Sequence, residues 1–345
     1  MLADTIYQDL KTKLGDFVPD FELQYKSELA YEINQLKKDR NAVILGHNYM
    51  EPALFNSVPD FTGDSLALSR LAAETDKDII VFCGVEFMAE TAKILNPEKT
   101  VLLPASQAGC SLASSITAED VRQLKAKFPG VPVVTYINTY ADVKAETDIC
   151  CTSGNANAVV ESLGTDSIIF LPDEFLAKNV AKDTGKHIIF PTKDAVTNMS
   201  DTTLDYQMIG WHGRCEVHEK FTVKDIANVR LQFPEVVILA HPECSPEVTE
   251  AADYAGSTGG MIKFVEETSA PQYLLMTECA MGDNIAAANP EKDMLRLCSV
   301  RCPHMNQITL EETRDSLLHT QYQITVPEDI RVRALKSVER MLAIG

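Results

Sequence analysis

The chain has 345 residues, 45% of them hydrophobic, so it can bury a full core and divide into two or three domains. Fifty acidic residues against 31 basic ones give a formal charge of −19, which disfavours nucleic acid and anionic membrane surfaces as partners. No segment approaches the roughly 18 consecutive apolar residues of a membrane span. We therefore expect a cytoplasmic protein with neither partner, in which an anionic substrate needs local help from N–H groups, hydroxyls or a metal.

The predicted elements alternate between strand and helix. A helical segment comes first, and three apolar strands then recur at 43–47, 133–138 and 237–241. Each is followed by a loop with a hydroxyl residue at a helix start, and then by two further apolar strands. The second strands are expected to end at Phe82, Phe170 and Met276, and the third at Leu103, Phe190 and Leu297. This pattern predicts an α/β fold of three Rossmann-like lobes with parallel sheets. The expected boundaries are an N-terminal helical segment 1–40 packing on lobe one, lobes at 41–130, 131–234 and 235–325, and a C-terminal helix 326–345 also packing on lobe one.

A repeat in the spacing relates three of the nine cysteines. Cys110 lies 45 residues after Ser65, and Cys302 lies 45 residues after Ser257. Cys215 lies 62 residues after Ser153, the excess of 17 being a polar insertion at approximately 192–207. Each cysteine precedes by seven residues a threonine with a helix-capping pattern, namely Thr117, Thr222 and Thr309. The three cysteines are therefore interpreted as equivalent, whereas Cys279 and Cys298 have no counterparts.

Three equivalent thiols would meet where three lobes surround a common axis. No Cys-x-x-Cys pair is present, so a zinc ribbon has little support, and a reducing compartment disfavours disulfides. Three converging thiolates suit a soft metal or an iron–sulfur cluster, and three rather than four leave one iron without a protein ligand. A glutamate also recurs 21 residues after each serine, at Glu86, Glu174 and Glu278, and its presence in all three lobes indicates an architectural role.

The motifs resemble those of the quinolinate synthase family over essentially the whole chain from Val43 to Ile308. The resemblance is carried by Gly46-His47-Asn48-Tyr49, Gly63-Asp64-Ser65, Ala108-Gly109-Cys110, Tyr136-Ile137-Asn138, Thr152-Ser153-Gly154-Asn155-Ala156, Gly213 to His218, His241-Pro242-Glu243-Cys244, Gly256-Ser257-Thr258 and Cys302-Pro303-His304-Met305. It implies three lobes about a pseudo-threefold axis, with the active site at the centre and one [4Fe-4S] cluster per chain held by Cys110, Cys215 and Cys302. The run from Cys298 to Cys302 departs from the Cys-x-x-Cys-x-x-Cys of some members.

The implied activity is condensation of iminoaspartate with dihydroxyacetone phosphate to quinolinate in de novo NAD biosynthesis, with loss of phosphate and two waters. The cluster would act as a Lewis acid through its open iron. Transient contact with L-aspartate oxidase, which supplies iminoaspartate, is a further expectation.

Candidate site residues follow apolar strands or neighbour the cysteines, where parallel α/β lobes place their ligands. The expected catalytic residues are His47, Tyr49, His218, His241 and Glu243. The expected substrate-binding residues are His47, Ser65, Tyr136, Asn138, Ser153, His241, Glu243, Ser257 and Thr258. Glu243 and His241 are assigned acid/base work, and Tyr49 and His47 the dihydroxyacetone phosphate half. His47 and His241 occupy one repeat position, at which lobe two is expected to have Ile137.

Two other classes of function remain open. A zinc-dependent hydrolase centred on Cys215 explains the local motif but leaves Cys110 and Cys302 unused. A non-catalytic iron–sulfur redox sensor uses the thiols but not the polar residues at the strand ends.

Overall fold

The computed structural model describes residues 3–191, 206–297 and 299–344. Its helices are α1 (Ala3–Leu14), α2 (Asp20–Asp39), α3 (Pro52–Phe55), α4 (Ser65–Glu74), α5 (Glu86–Leu95), α6 (Ala118–Lys127), α7 (Ala141–Ala145), α8 (Ala156–Ser162), α9 (Glu174–Asp183), α10 (Val223–Gln232), α11 (Pro246–Ala251), α12 (Thr258–Glu267), α13 (Cys279–Ala288), α14 (Leu310–His319) and α15 (Glu328–Ile344). The N-terminal segment is thus two helices, and among the described residues no helix is long and apolar enough to span a bilayer.

The strands are β1 (Ala42–His47), β2 (Phe61–Gly63), β3 (Ile79–Cys83), β4 (Thr100–Leu102), β5 (Val133–Tyr136), β6 (Ile149–Cys151), β7 (Ile168–Leu171), β8 (Ile188–Ile189), β9 (Met208–Ile209), β10 (Val236–Ala240), β11 (Tyr254–Ala255) and β12 (Gln272–Met276). They form three sheets, ordered β2-β1-β3-β4, β6-β5-β7-β9-β8 and β11-β10-β12. Every strand pair in these sheets is parallel. Parallel neighbours need crossover connections, which the helices supply. The predicted α/β fold with parallel sheets is confirmed.

The strands at the centre of the sheets are apolar and buried on both faces. Every residue of β1, β3, β5 and β7 is buried, as expected when helices cover both sides of a parallel sheet. In each sheet the first strand of the unit, β1, β5 or β10, lies between the short strand that follows it, β2, β6 or β11, and the next long strand, β3, β7 or β12. The carboxyl ends of all three central strands are therefore available to build one site.

The strand register corrects one predicted equivalence. Gly46 pairs with Cys83, Thr135 with Leu171 and Ala240 with Met276, and each of these partners lies three residues before the next helix. The residues that follow, His47, Tyr136 and His241, are thus the equivalent ones. The expectation of Ile137 at this position is wrong by one residue, because where a strand ends is not visible in an apolar run.

The third strand of each unit also differs from the prediction. In the second sheet β9 lies beside β7. The expected third strand corresponds to β8, which lies at the edge of the sheet. Among the described residues of the third sheet, an isolated bridge, Tyr273 with Met294, stands where a strand ending at Leu297 was expected. Most of the predicted insertion, residues 192–205, lies outside the described residues.

The equal spacing of the three glutamates does not place them at one position. The N–H groups of Glu86, Glu174 and Cys279 donate to the carbonyls two residues before Cys110, Cys215 and Cys302 respectively. Cys279 is therefore the structural counterpart of the first two glutamates, while Glu278 is the residue before the helix and caps it by accepting from Ala280 N at 2.7 Å. Cys279 is also disulfide-bonded, contrary to the expectation for a reducing compartment.

The C-terminal helix α15 packs chiefly against α7 and β6 of lobe two and only secondarily against α5 of lobe one. Small residues on its inner face permit this close approach: Ser337 donates to Lys144 O at 2.9 Å, and Ala334 lies against Ala141 and Ala145. The expected packing on lobe one is therefore wrong as to the main partner. Amphipathic spacing shows which face is buried, but not what buries it.

Candidate active site and metal centre

A cavity lies where the three lobes meet. Almost all the predicted site residues line it: His47, Tyr49, Ser65, Cys110, Tyr136, Asn138, Ser153, Cys215, His218, His241, Glu243, Thr258 and Cys302. Ser257 does not, and lines a neighbouring cleft between lobes two and three. No lysine or arginine is among the described residues that line the cavity. Any anion held here is bound by neutral donors or by a metal.

The three cysteines occupy the same local structure. Each begins a tight turn: the carbonyls of Cys110, Cys215 and Cys302 each accept a 3.0 Å hydrogen bond from the N–H four residues later. The backbone N–H groups two and three positions after each cysteine also point at its sulfur. The threonine seven residues after each caps a helix, as predicted, with full capping boxes at Thr117 and Thr222. The local sequence thus fixes three equivalent sulfurs.

The electrostatics of these thiols suit a cationic ligand. Burial raises the pKa of Cys302 to about 11 and that of Cys110 to about 12. The backbone N–H groups oppose this effect, but they do not overcome it. A bound metal supplies the missing positive charge, and rings of N–H donors around sulfur are a recurrent feature of iron–sulfur sites. The three sulfurs on one cavity therefore fit a cluster held by three protein ligands.

A chain of hydrogen bonds connects Tyr49 to Glu243 through His218. His218 Nδ1 lies 2.6 Å from Glu243 Oε2 and 3.2 Å from Cys215 Sγ. Because the Glu243 carboxylate lies beside it, Nδ1 carries a proton, and Nε2 is an acceptor when the ring carries only that proton. Thr277 Oγ1 lies 2.9 Å from this Nε2 and 2.5 Å from the Tyr49 hydroxyl. With a single proton on the ring, the order of donation is Tyr49 to Thr277, Thr277 to His218, and His218 to Glu243.

Sequence reasoning did not find Thr277. It follows β12 and is fully buried, so in the sequence it looks like one more residue after an apolar strand. The signal that could have identified it is its position directly after Met276, the last residue of β12. Met276 corresponds to Cys83 at the end of β3 and to Leu171 at the end of β7.

Glu243 is buried and accepts hydrogen bonds from both sides. Tyr136 donates its hydroxyl to Oε1 at 2.5 Å, and Asn138 Nδ2 donates to the same oxygen at 3.2 Å. Burial by itself raises the pKa of Glu243, but the charge and hydrogen bond of His218 and the hydrogen bond of Tyr136 outweigh it and hold the pKa well below its usual range. Glu243 is a carboxylate at neutral pH.

His47 and His241 are neutral donors of the same tautomer. Burial lowers the pKa of His47 to about 4 and, with the nearby His218, that of His241 to about 3. His47 Nδ1 accepts from Tyr49 N at 3.2 Å, and His241 Nδ1 accepts from Glu243 N at 3.3 Å. Because Nδ1 accepts in both rings, Nε2 carries the proton in both. His241 directs its Nε2 to Ser153 Oγ at 3.2 Å.

The predicted hydroxyl residues stand near helix starts, but only one of them caps. Asp64, rather than Ser65, caps α4, and Ser153 lies three residues before the start of α8. Ser257 caps α12 by accepting from Gly260 N at 3.2 Å. Thr258, the first residue of α12, accepts from Asn48 Nδ2 at 2.9 Å and so joins lobe three to lobe one.

Cys215, His218 and Glu243 also form a group whose donor atoms lie within 4.8 Å of one another. A thiolate, an imidazole and a carboxylate together can hold a single zinc ion. The geometry therefore allows a mononuclear site between lobes two and three as well as a cluster shared by all three lobes.

Comparisons with known proteins agree on one family. A family model described as "Quinolinate synthetase A protein" matches residues 31–343. "Quinolinate synthase 2" of Mesorhizobium japonicum is 52% identical over 312 residues, covering 90% of each chain. The quinolinate synthase of Agrobacterium fabrum is 52% identical over 335 residues, covering 97% of this chain and 91% of its own. That of Caulobacter vibrioides is 49% identical over 334 residues, covering 96% and 85%.

Proposed function

This chain belongs to the quinolinate synthetase A family of enzymes, and on that premise we propose that it condenses iminoaspartate with dihydroxyacetone phosphate to quinolinate, with loss of phosphate and two waters. The reaction serves de novo NAD biosynthesis in the cytoplasm. The observation that carries the proposal is the convergence of three equivalent thiols and a buried hydrogen-bonded chain on one cavity.

Cys110, Cys215 and Cys302 would hold a [4Fe-4S] cluster. Their sulfurs line one cavity, and each receives two backbone N–H groups, which favour the thiolate. When bound, a cluster with one iron lacking a protein ligand supplies a Lewis acid that polarises a substrate oxygen. All remaining steps are assigned to the chain's own residues.

Proton movement is assigned to the Tyr49–Thr277–His218–Glu243 chain. Tyr49 faces the cavity and donates into the chain, which ends on a carboxylate. A proton taken from substrate carbon or oxygen at Tyr49 can therefore pass inward without a charged group being left unpaired in the buried site. Burial, the nearby Glu243 carboxylate and other groups raise the Tyr49 pKa well above its ordinary value, so the phenol is protonated in the resting state.

The anionic substrates are assigned to neutral donors. His47 and His241 each present an Nε2–H group, and the hydroxyls of Ser65, Ser153 and Thr258 line the same cavity. Neutral imidazoles avoid the cost of a buried unpaired cation, and hydroxyls rotate to meet phosphate or carboxylate oxygens. Asn138 leaves its Oδ1 buried without a partner among the described residues, so it is assigned to accept the N–H of the iminoaspartate half.

The direct experiment is purification without oxygen, followed by iron and sulfide analysis and a turnover assay for quinolinate. We expect brown protein with iron and sulfide each near four per chain. Cys302→Ser should lose most of the iron, whereas Cys83→Ser should retain it, because Cys83 is buried on β3 and does not line the cavity. Colourless wild-type protein without quinolinate formation would overturn the proposal.

A zinc-dependent hydrolase centred on Cys215, His218 and Glu243 is the second candidate, and the proximity of these donors is the observation that favours it. The same analysis decides between the two. A hydrolase of this kind would hold about one zinc per chain and would keep it in Cys302→Ser.

Direct transfer of iminoaspartate from L-aspartate oxidase is also proposed. It would be supported by co-migration of the two proteins, and it is independent of the cluster assignment.

A further inference from the structure

Two buried asparagines hold the two loops that carry Tyr49 and Glu243. Asn284, in α13 of lobe three, donates from Nδ2 to Asn48 O at 3.2 Å and to Met50 O at 2.9 Å. These carbonyls flank Tyr49 in lobe one. An amide nitrogen has two hydrogens, so each carbonyl receives one.

Asn179, in α9 of lobe two, makes the same pair of contacts with lobe three. Its Nδ2 donates to Pro242 O at 2.8 Å and to Cys244 O at 3.1 Å, the carbonyls on either side of Glu243. Asn179 and Asn284 are each the sixth residue of their helix, and they are 9% and 3% exposed. The two contacts are therefore equivalent by position as well as by chemistry.

The loops that they hold have the same conformation. Met50 N donates to His47 O at 3.0 Å, and Cys244 N donates to His241 O at 2.9 Å. The residue between them, Tyr49 or Glu243, donates its N–H to the Nδ1 atom of the same histidine. In each loop, one turn therefore determines both the tautomer of the histidine and the position of the catalytic side chain two residues later. The asparagine binds the carbonyls of the residues on either side of that catalytic residue.

Lobe two has a substitute for this contact. The sixth residue of α5 is Thr91, whose hydroxyl bonds within its own helix to Phe87 O at 2.8 Å. The corresponding loop carbonyl, Thr139 O, instead accepts from the buried Lys144 of α7. The asparagine thus occurs in the helices of lobes three and two that support the loops of Tyr49 and Glu243, and α5 of lobe one has Thr91 in its place.

We propose that Asn284 and Asn179 are positioning residues, each of which fixes from a neighbouring lobe the loop that aims Tyr49 or Glu243 into the cavity. The proposal rests on the proposed function for its catalytic arm, but its structural arm is independent of that function. Both carbonyls of each pair lose their partner when the asparagine is truncated, so the loop is free to shift. A shift of about 1 Å in a reacting group can cost on the order of a hundredfold in rate.

The chain offers a matched control in Asn96. Its Nδ2 also donates to two backbone carbonyls, Ala72 O at 2.8 Å and Ala92 O at 3.0 Å, and it is 7% exposed. It lies at the end of α5 and does not line the cavity. Asn96→Ala removes two hydrogen bonds to backbone carbonyls, as the other two substitutions do, and should lower the melting temperature comparably to Asn284→Ala without touching either loop. Asn179→Ala also removes the hydrogen bond that Thr249 Oγ1 donates to Asn179 Oδ1 at 3.0 Å.

The experiment measures kcat and KM for quinolinate formation by cluster-loaded Asn284→Ala, Asn179→Ala and Asn96→Ala. We expect kcat to fall at least about tenfold in the first two, with KM within about threefold, and to stay within about twofold in the third. Cluster absorbance should be unchanged in all three. Equal kcat values for the three variants would overturn the proposal. If Asn284→Ala does not fold, Asn284→Ser is the milder replacement.

Amide hydrogen exchange supplies the readout that does not depend on turnover. Asn284→Ala should speed exchange at Tyr49 and Met50 but not at Glu243 and Cys244, and Asn179→Ala should do the reverse. Equal acceleration in both loops would indicate general loosening and would contradict the proposal. Wild-type protein that forms no quinolinate would refute the proposed function and leave this arm intact.

Discussion

Removing the Thr277 hydroxyl tests the hydrogen-bonded chain without changing the volume of the site. Thr277→Val keeps the side-chain shape and deletes the bonds to His218 Nε2 at 2.9 Å and to the Tyr49 hydroxyl at 2.5 Å. Each buried group left unsatisfied costs about 1–3 kcal/mol. If about half of the combined loss of about 2–6 kcal/mol appears in the transition state, kcat falls by about 5- to 160-fold, at 1.36 kcal/mol per tenfold.

Thr277→Ser is the matched control, because serine retains the hydroxyl. We expect it to keep kcat within about fivefold of the wild type, which separates loss of the proton path from loss of packing. The assay is anaerobic turnover at saturating substrates, with iron content measured on the same samples. A valine variant with full iron and a kcat within threefold of the wild type would refute the order of donation given for the chain.

Three further outcomes follow from burial and backbone geometry. Burial raises the pKa of Glu90 from its ordinary 4.5 to about 7. The protonated form therefore stabilises the fold below pH 4.5, and this contribution to the free energy of unfolding is lost as the pH rises from 4.5 to about 7. Glu90→Gln, which does not titrate, should therefore melt progressively higher relative to wild type from pH 5.5 to 8 in anaerobic thermal scans, and a constant difference would contradict this. Gly213→Ala places a Cβ 2.6 Å from Pro172 O and should lower the melting temperature by several degrees. Gly282→Ala, inside α13 and 3.8 Å from its nearest neighbour, should raise stability by about 0.5–1 kcal/mol in urea titrations, and any loss would count against the packing described.

The equivalence of the cysteines could be predicted because it rests on local signals. Helix caps such as Thr117 and Thr222 are set by hydrogen bonds within four residues, so their spacing survives in the sequence. The parallel-sheet fold was predictable for a similar reason, since strands buried on both faces read as continuous apolar runs.

The contacts between lobes could not be predicted, because they join residues far apart in the chain. Thr277 gains its role only from Tyr49 and His218, which lie 228 and 59 residues away in the sequence. The partner of α15 was missed for the same reason, as was the one-residue shift that puts Tyr136 at the histidine position. The position of Ser257 outside the cavity depends on where α12 starts relative to the lobe interface, which no local pattern encodes.

The asparagine contacts bear on how such a chain can be divided or recombined. Lobe three holds the Tyr49 loop of lobe one, and lobe two holds the Glu243 loop of lobe three. A lobe transplanted from a relative would carry its catalytic side chain but would leave behind the helix that orients it. Chimaeras should therefore function only when a loop and the helix that holds it are exchanged together. The segments that must come from the same parent are those that meet at an interface between two lobes, and they belong to different lobes.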